Sequence, residues 1–123
     1  METRPKNVTI QDFLKELALP ASELGAYLNA NTHNSVDIKK ITEFAEKVKN
    51  VHERLKEMFA GGGDARSKII ERFFINWNNT VLGVLYVSDR ICESKSVSEK
   101  HYKILKASVN NIQGSLKDFG ITQ

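Results

Sequence analysis

The sequence predicts an all-α fold: an elongated antiparallel bundle of three long helices, capped by two short N-terminal helices. Proline occurs only twice in the 123 residues, and proline in a helix interior removes a hydrogen bond and clashes with the preceding turn. Two segments carry apolar residues at heptad spacing. A third is apolar around most of its circumference, which is typical of a buried, central helix.

The pattern of residues in the first part of the chain predicts a flexible basic arm over residues 1–8, followed by two short helices. Thr9 is a candidate N-cap for a helix over about 10–18. We expect a break at Leu19-Pro20, because a residue that precedes proline disfavours the helical conformation. The proline then serves as the first residue of a second short helix, which runs over about 20–29.

The next segment predicts a long helix over about 36–59, with Ser35 as its N-cap. Three glycines at 61–63 end this helix, and Asp64 is expected to cap the following one, over about 65–93. The apolar residues of helix 36–59 form a seam with steps of three and four: Ile41, Phe44, Val48, Val51, Leu55 and Met58.

The remaining elements are also predicted as helices. Val81–Val87 is dense in β-branched residues, which would suit a strand, but apolar residues continue at helical spacing on both sides. Ser96 with Glu99 forms a capping box for a last helix over about 97–118. Gly120 lies where a C-terminal glycine cap is expected. The second heptad seam belongs to this last helix: Tyr102, Leu105, Val109, Ile112, Leu116 and Phe119.

The composition fits one compact domain of 123 residues, with 41% hydrophobic and 27% charged residues. Within it we distinguish a two-helix corner, 9–34, from a three-helix bundle, 35–123. A bundle of three helices with one broadly apolar helix favours a fourth partner, so a homodimer is a reasonable hypothesis. The net charge of +3 and the pI of about 9.0 permit a nucleic-acid partner.

The single cysteine, Cys92, excludes an intrachain disulfide and suits a reducing, cytoplasmic compartment. It lies in an apolar stretch and is predicted to be a small buried core residue. No apolar run follows residues 1–6, so no signal peptide is expected. The longest apolar region is much shorter than the ~20 residues that a membrane span requires, and no membrane association is predicted.

Residues 9–30 carry a local motif. Ala18 is a small residue at the end of one predicted helix, Leu19 follows at the bend, and Leu24 and Tyr27 lie at the inner positions of the next helix. This pattern resembles the helix-turn-helix of phage-repressor-like DNA-binding domains.

The resemblance implies that residues 20–29 act as a recognition helix, with Ser22 and Asn29 as candidate DNA contacts. This stretch contains no Lys or Arg, although bases are commonly read by Arg, Lys, Asn or Gln. A structural corner that caps a bundle would need the same small and apolar residues.

A second, fainter similarity involves Val81–Arg90 together with Leu116–Ile121. These residues are similar to the helical part of GrpE-type nucleotide exchange factors. The β-domain through which that family contacts its Hsp70 partner has no counterpart in this sequence.

The sequence shows no constellation typical of an enzyme. His33, His52 and His101 are isolated, and no Cys/His cluster with metal-ligand spacing occurs. Neither a P-loop nor a nucleophile elbow is present. We therefore predict a non-enzymatic protein without a metal or other cofactor.

Lysines cluster around the start of the last predicted helix, with Glu99 as the only acidic residue among them. Lys103 and Lys106 are three residues apart and share a helix face. A solvated helix face is the ordinary explanation, and a stripe that contacts the phosphates of DNA or RNA is the functional one. The four lysines of the cluster are Lys95, Lys100, Lys103 and Lys106.

Trp77, flanked by asparagines and preceded by Phe73 and Phe74, belongs either to an interface or to a polar network in the core. Two functions follow from these features. The first is a small nucleic-acid-associated or regulatory protein that contacts phosphates through the lysines. The second is a helical interaction or assembly subunit that docks on partner protein helices without nucleic acid.

Overall fold

The computed structural model describes residues 10–60, 68–118 and 120–121, and these residues are almost entirely helical. The all-α prediction is confirmed. The predicted arm 1–8, the caps at Thr9 and Asp64, and the glycines at 61–63 lie outside the described residues. The elements are α1 Ile10–Ala30, a 3-10 turn His33–Ser35, α2 Ile38–Ala60, α3 Lys68–Ser94 and α4 Glu99–Asp118.

The predicted break at Leu19-Pro20 is wrong, because α1 runs without interruption through Pro20. The two expected short helices are therefore one helix, and the described bundle has four helices. An interior proline costs about 3 kcal/mol, while burial of each large aliphatic side chain contributes about 1.5–3 kcal/mol. The buried face of α1 continues at helical spacing on both sides of the proline: Leu14, Leu17, Ala21, Leu24 and Leu28.

The four helices close into a ring in which each packs against two neighbours. Both α1 and α3 pack against α2 and α4, so α1 and α3 occupy opposite corners. Neighbours run antiparallel: Gln113 of α4 reaches the carbonyl of Ala21, whereas Tyr102 reaches that of Leu28. This is the up-down-up-down arrangement of a four-helix bundle.

The core lies along the axis of the ring, and both predicted seams contribute to it. The seam residue Phe119 and the side chain of Met58 lie outside the described part of the chain. The prediction that α3 is a central helix is wrong, since Ile75, Leu82 and Tyr86 are exposed on it. Cys92 is also exposed, contrary to its predicted burial. The physical reason is α1: it covers the side of the bundle that three helices would leave open, so α3 needs only one buried face.

The described helix ends correct two predicted caps and confirm a third. Ser35 and Ser96 are each two residues too early. The carboxylate of Asp37 accepts a hydrogen bond of 3.0 Å from a backbone N–H of α2, and the hydroxyl of Ser98 accepts one of 3.1 Å from α4. Gly120 has a φ of 76°, and two backbone hydrogen bonds of 2.9 Å complete the glycine cap after α4.

Trp77 links α3 to α2 in the middle of the core. Its side chain is fully buried, and its Nε1–H donates to Nδ1 of His52 over 3.0 Å. The ring of Phe73 stacks on it with centroids 5.8 Å apart. Burial lowers the pKa of His52 below its ordinary value of 6.5, the positive charge of Lys56 lowers it further, and Glu53 opposes the shift.

Replacement of the interior proline tests the balance that keeps α1 continuous. We expect Pro20→Ala to raise the free energy of unfolding by about 1–3 kcal/mol, since alanine restores an intrahelical donor and removes the ring. Pro20→Gly should raise the free energy of unfolding by about 1 kcal/mol less than Pro20→Ala, because glycine has a lower helix propensity than alanine. Urea denaturation followed by circular dichroism measures both. A destabilised Pro20→Ala variant would mean that the packing of α1 requires the proline ring.

The Trp77–His52 bond predicts a pH dependence of stability. The unfolded chain binds a proton on His52 more readily than the folded chain does, because the pKa is lowered by folding. Stability is therefore full above about pH 6.5 and falls as the pH drops from there toward the lowered pKa. Protonation also breaks the bond from Trp77, at a cost of about 1 kcal/mol.

Urea denaturation at about pH 7.5 and about pH 5 measures this loss. The variant His52→Gln keeps an acceptor for the indole N–H but cannot titrate, so the loss should shrink. His33→Gln serves as the matched control and should retain it. An unchanged pH dependence in His52→Gln would show that other groups cause the effect.

Candidate functional site

A polar groove runs along the surface between α1 and α4. Its volume is about 220 Å³, smaller than the about 300–1,000 Å³ of sites that enclose a small molecule. It is open to solvent, so it suits one unit of an extended ligand laid along the surface. The groove is lined by Gly25, Ala26, Leu28, Asn29, Lys106, Val109, Asn110 and Gln113.

The groove exists because two small residues of α1 face larger side chains of α4. A Cβ atom at Gly25 would lie 3.6 Å from Val109 Cγ1 and 3.6 Å from Gln113 Nε2, so the helices are in contact there. Ala26 adds only a methyl group to the rim. Gln113 crosses the gap, and its Nε2 donates to the carbonyl of Ala21 at 3.5 Å. The contact between Gln113 and Ala21 thus holds the base of the groove in place, while the small side chain of Ala26 leaves the groove open to solvent.

The groove is positive and rich in hydrogen-bonding groups. Asn29 and Asn110 present amides that can both donate and accept, and Lys106 supplies the positive charge. No Asp or Glu lines it. This combination can hold an anion such as a phosphate group, together with the hydroxyls or base edges next to it.

Tyr102 fixes the upper end of the groove. Its hydroxyl lies 2.5 Å from the carbonyl oxygen of Leu28 and 2.7 Å from that of Asn31, so these two carbonyls at the end of α1 share the single proton that it can donate. The Nζ of Lys106 lies over the Tyr102 ring, 5.2 Å from its centroid. One aromatic side chain therefore joins the two helices and positions the cation.

Two further lysines continue the positive charge toward the N-terminus of α4. Lys103 is exposed and lies 3.7 Å from Glu99, a distance that gives a weak surface pair. Lys100 is also exposed. The helix dipole disfavours a cation in the first turn of a helix, so the dipole does not explain Lys100. Lys95 lies before α4 with a left-handed φ of 57°.

Of the two DNA contacts that the sequence predicts on α1, the structure places one in the groove and the other outside it. Asn29 lines the groove, whereas Ser22 is half-buried on α1 and does not line it. Ala21, in the predicted recognition helix, is fully buried, and Leu19, at the predicted bend, is 55% exposed. Because α1 is continuous, residues 10–30 form no corner that would project a separate recognition helix.

The predicted interface residues lie in or against the core. Trp77 and Phe73 are buried, and Phe74 is half-buried against the core cluster. Trp77 takes part in the polar core contact with His52 that sequence analysis left open as the alternative.

Asn110, Gln113 and Tyr102 contribute to the groove but are not among the site residues predicted from the sequence. Helical spacing contains the signal for the first two: positions 106, 110 and 113 lie along one edge of α4, next to the buried seam. Tyr102 was identified only as a seam residue, because the carbonyls that it reaches belong to a helix more than 70 residues away.

A second depression lies between α1 and α2 and has a volume of about 140 Å³. Its charged side chains alternate in sign, with Lys40 and Lys47 beside Glu23 and Glu43, so it has no net preference for an anion. Within residues 10–60 and 68–118, no three His, Cys, Asp or Glu side chains are arranged to hold a metal ion.

None of the described helices combines the length and the apolar character needed to cross a bilayer. The chain matches no protein family, curated protein or solved structure.

The role of Tyr102 in joining α1 to α4 is open to a direct test. Tyr102→Phe removes the donor that the carbonyls of Leu28 and Asn31 share, so we expect the free energy of unfolding to fall by about 1–2 kcal/mol. The matched control is Tyr86→Phe, whose hydroxyl has no hydrogen-bond partner among the described residues and should cost little. Urea denaturation compares the two, and equal effects would remove the assigned role.

Proposed function

We propose that this protein is a non-enzymatic nucleic-acid-associated protein that binds the sugar–phosphate backbone along the groove between α1 and α4. The observation that carries the proposal is the groove itself. It brings Asn29 of α1 beside Lys106 of α4, from positions 77 residues apart in the chain, with no carboxylate among its lining residues.

The chemistry of the lining favours backbone contact over base reading. Phosphate oxygens are bound by Lys, Asn, Gln and backbone N–H groups, and such contacts position a protein without reading sequence. Base reading in the major groove requires an element that projects from the surface, whereas the binding groups of this site lie in a shallow depression. Binding that depends little on sequence is the expected behaviour.

The arrangement of the lysines sets the strength of binding. Lys100, Lys103 and Lys106 follow each other at intervals of three along α4, so they supply about three phosphate contacts. Each contact contributes about 0.9 to the logarithmic dependence of affinity on salt. Three contacts give a slope of about −2.7, or a loss of about 40-fold in affinity between about 50 mM and about 200 mM salt.

Fluorescence anisotropy of a labelled random-sequence duplex, titrated at these two salt concentrations, tests the proposal. We expect binding at the lower salt and its collapse at the higher one. In the double variant Lys103→Glu, Lys106→Glu, affinity at low salt should fall more than tenfold, because two of about three contacts are reversed in charge.

The matched control is Lys49→Glu, Lys56→Glu on α2, the helix at the corner opposite α4. Each replacement changes the charge by two units, so both double variants lower the net charge from +3 to −1. Equal losses in the two variants would indicate a nonspecific charge effect and contradict the groove. The absence of binding by the parent protein at low salt would reject the proposed function.

A second candidate function is a helical interaction or assembly subunit that docks on protein helices. The observation that favours it is the outer face of α3, where Ile75, Leu82 and Tyr86 are exposed together. In that case the double variant at Lys103 and Lys106 leaves the protein complex unaffected.

A further inference from the structure

The outer face of α3 carries an apolar stripe, which we define as Ile75, Asn79, Leu82 and Tyr86. Ile75 is 65% exposed, Leu82 64% and Tyr86 49%, and Asn79 is exposed between them. The steps of four, three and four place all four residues on one side of the helix. Large apolar side chains are seldom gathered on a surface unless the surface is used.

The spacing of the stripe is symmetric about its centre. When a second α3 lies antiparallel against the first, with a twofold axis between residues 80 and 81, Ile75 lies opposite Tyr86 of the second copy. Asn79 then lies opposite Leu82 of the second copy. This is the alternation of an antiparallel helix pair, and it repeats identically on both copies, as a twofold interface requires.

The charges beyond the stripe match the same alignment. Arg72 lies three residues before Ile75, and Asp89 lies three residues after Tyr86. In the antiparallel alignment, Arg72 of one copy therefore lies opposite Asp89 of the other, and this pair occurs at both ends. Both side chains are exposed, and neither has an ion-pair partner among the described residues. A parallel pair would set Arg72 against Arg72 and Asp89 against Asp89, which is unfavourable.

We propose that the protein forms a twofold homodimer through antiparallel pairing of α3, with the stripe at its centre and Arg72–Asp89 pairs at its ends. Tyr86 is already held in place by edge contact with His101, at 5.9 Å between ring centroids, and by Arg90 over its ring. Asn79, the one polar residue of the stripe, selects the register at a cost in affinity.

The size of the stripe sets the strength of the dimer. Residues 75–86 span about 17 Å of helix, so the contact is smaller than that of a stable, specific interface. We expect dissociation constants of about 10–100 µM. The groove between α1 and α4 does not include α3, so dimerisation leaves the groove uncovered. A result against the dimer is therefore not a result against nucleic-acid binding, and the reverse also holds.

Sedimentation velocity over about 5–500 µM tests self-association. The variant Leu82→Glu should be monomeric at every concentration, because dimerisation would bury the glutamate charge at the centre of the helix pair. Leu82 is exposed, so this replacement does not alter the core. The matched control is Leu19→Glu, which replaces the exposed leucine of α1 and should leave dimerisation unchanged. A parent protein that stays monomeric at every concentration overturns the proposal and leaves the stripe to a different protein.

Charge exchange tests the alignment. Arg72→Asp or Asp89→Arg alone should weaken the dimer more than tenfold, because each places like charges opposite each other at both ends. The double variant Arg72→Asp, Asp89→Arg should restore the parent affinity. Single variants without effect, or a double variant as weak as the single ones, would contradict antiparallel pairing.

The native cysteine gives a direct measure of orientation. Cys92 is exposed on α3 and accepts a nitroxide label without any substitution elsewhere. In the antiparallel pair the two Cys92 positions lie about 35 Å apart along the helix axes, whereas a parallel pair brings them side by side. Pulsed electron paramagnetic resonance at dimer-forming concentration should give the long distance. A short distance would overturn the antiparallel arrangement.

Discussion

Helix α1 passes through Pro20 without a break, and both the closed ring of helices and the groove require this continuity. A helix broken at this residue could not present one buried face from Leu14 to Leu28, and the seams of α2 and α4 would lack their neighbour. The proline costs a hydrogen bond, but the apolar face that crosses it stabilises the helix by more than this loss. Because α1 closes the ring, the bundle has four corners, an axial core and a groove along its α1–α4 edge.

Polar contacts fix the end of α1 to both of its neighbours. The hydroxyl of Tyr27 accepts a hydrogen bond from the backbone N–H of Asp37 over 2.9 Å, at the start of α2. The hydroxyl of Tyr102 of α4 donates to the carbonyls of Leu28 and Asn31, which share its proton, and Nδ1 of His33 donates to the carbonyl of Val97 over 3.0 Å. These bonds satisfy backbone groups that the helix ends leave unpaired. Since Lys106 lies over the Tyr102 ring, the same contact that joins the helices also places the cation of the groove.

The two candidate surfaces have opposite chemistry and lie on different parts of the bundle. The groove is polar, positive and free of lining carboxylates, whereas the stripe on α3 is apolar and bordered by Arg72 and Asp89. With α1 and α3 at opposite corners, a dimer formed through α3 carries two uncovered grooves. Two weak phosphate-binding sites on one particle would raise the overall affinity for a long polyanion by increasing the effective concentration of the second site.

The amino-acid sequence alone is enough to predict the helical class, the two seams and the glycine cap at Gly120, because these follow from periodicity and local backbone preference. It also identified Lys106 and Asn29, although not as neighbours. The packing of the helices was needed to show that α1 is continuous, that Trp77 is a core residue bonded to His52, and that the outer face of α3 is exposed. The local preference for a break at Leu19-Pro20 competes with the free energy gained by burying the whole apolar face of α1. That gain depends on α2 and α4, whose residues are far from α1 in the chain, so it cannot be read from the local sequence.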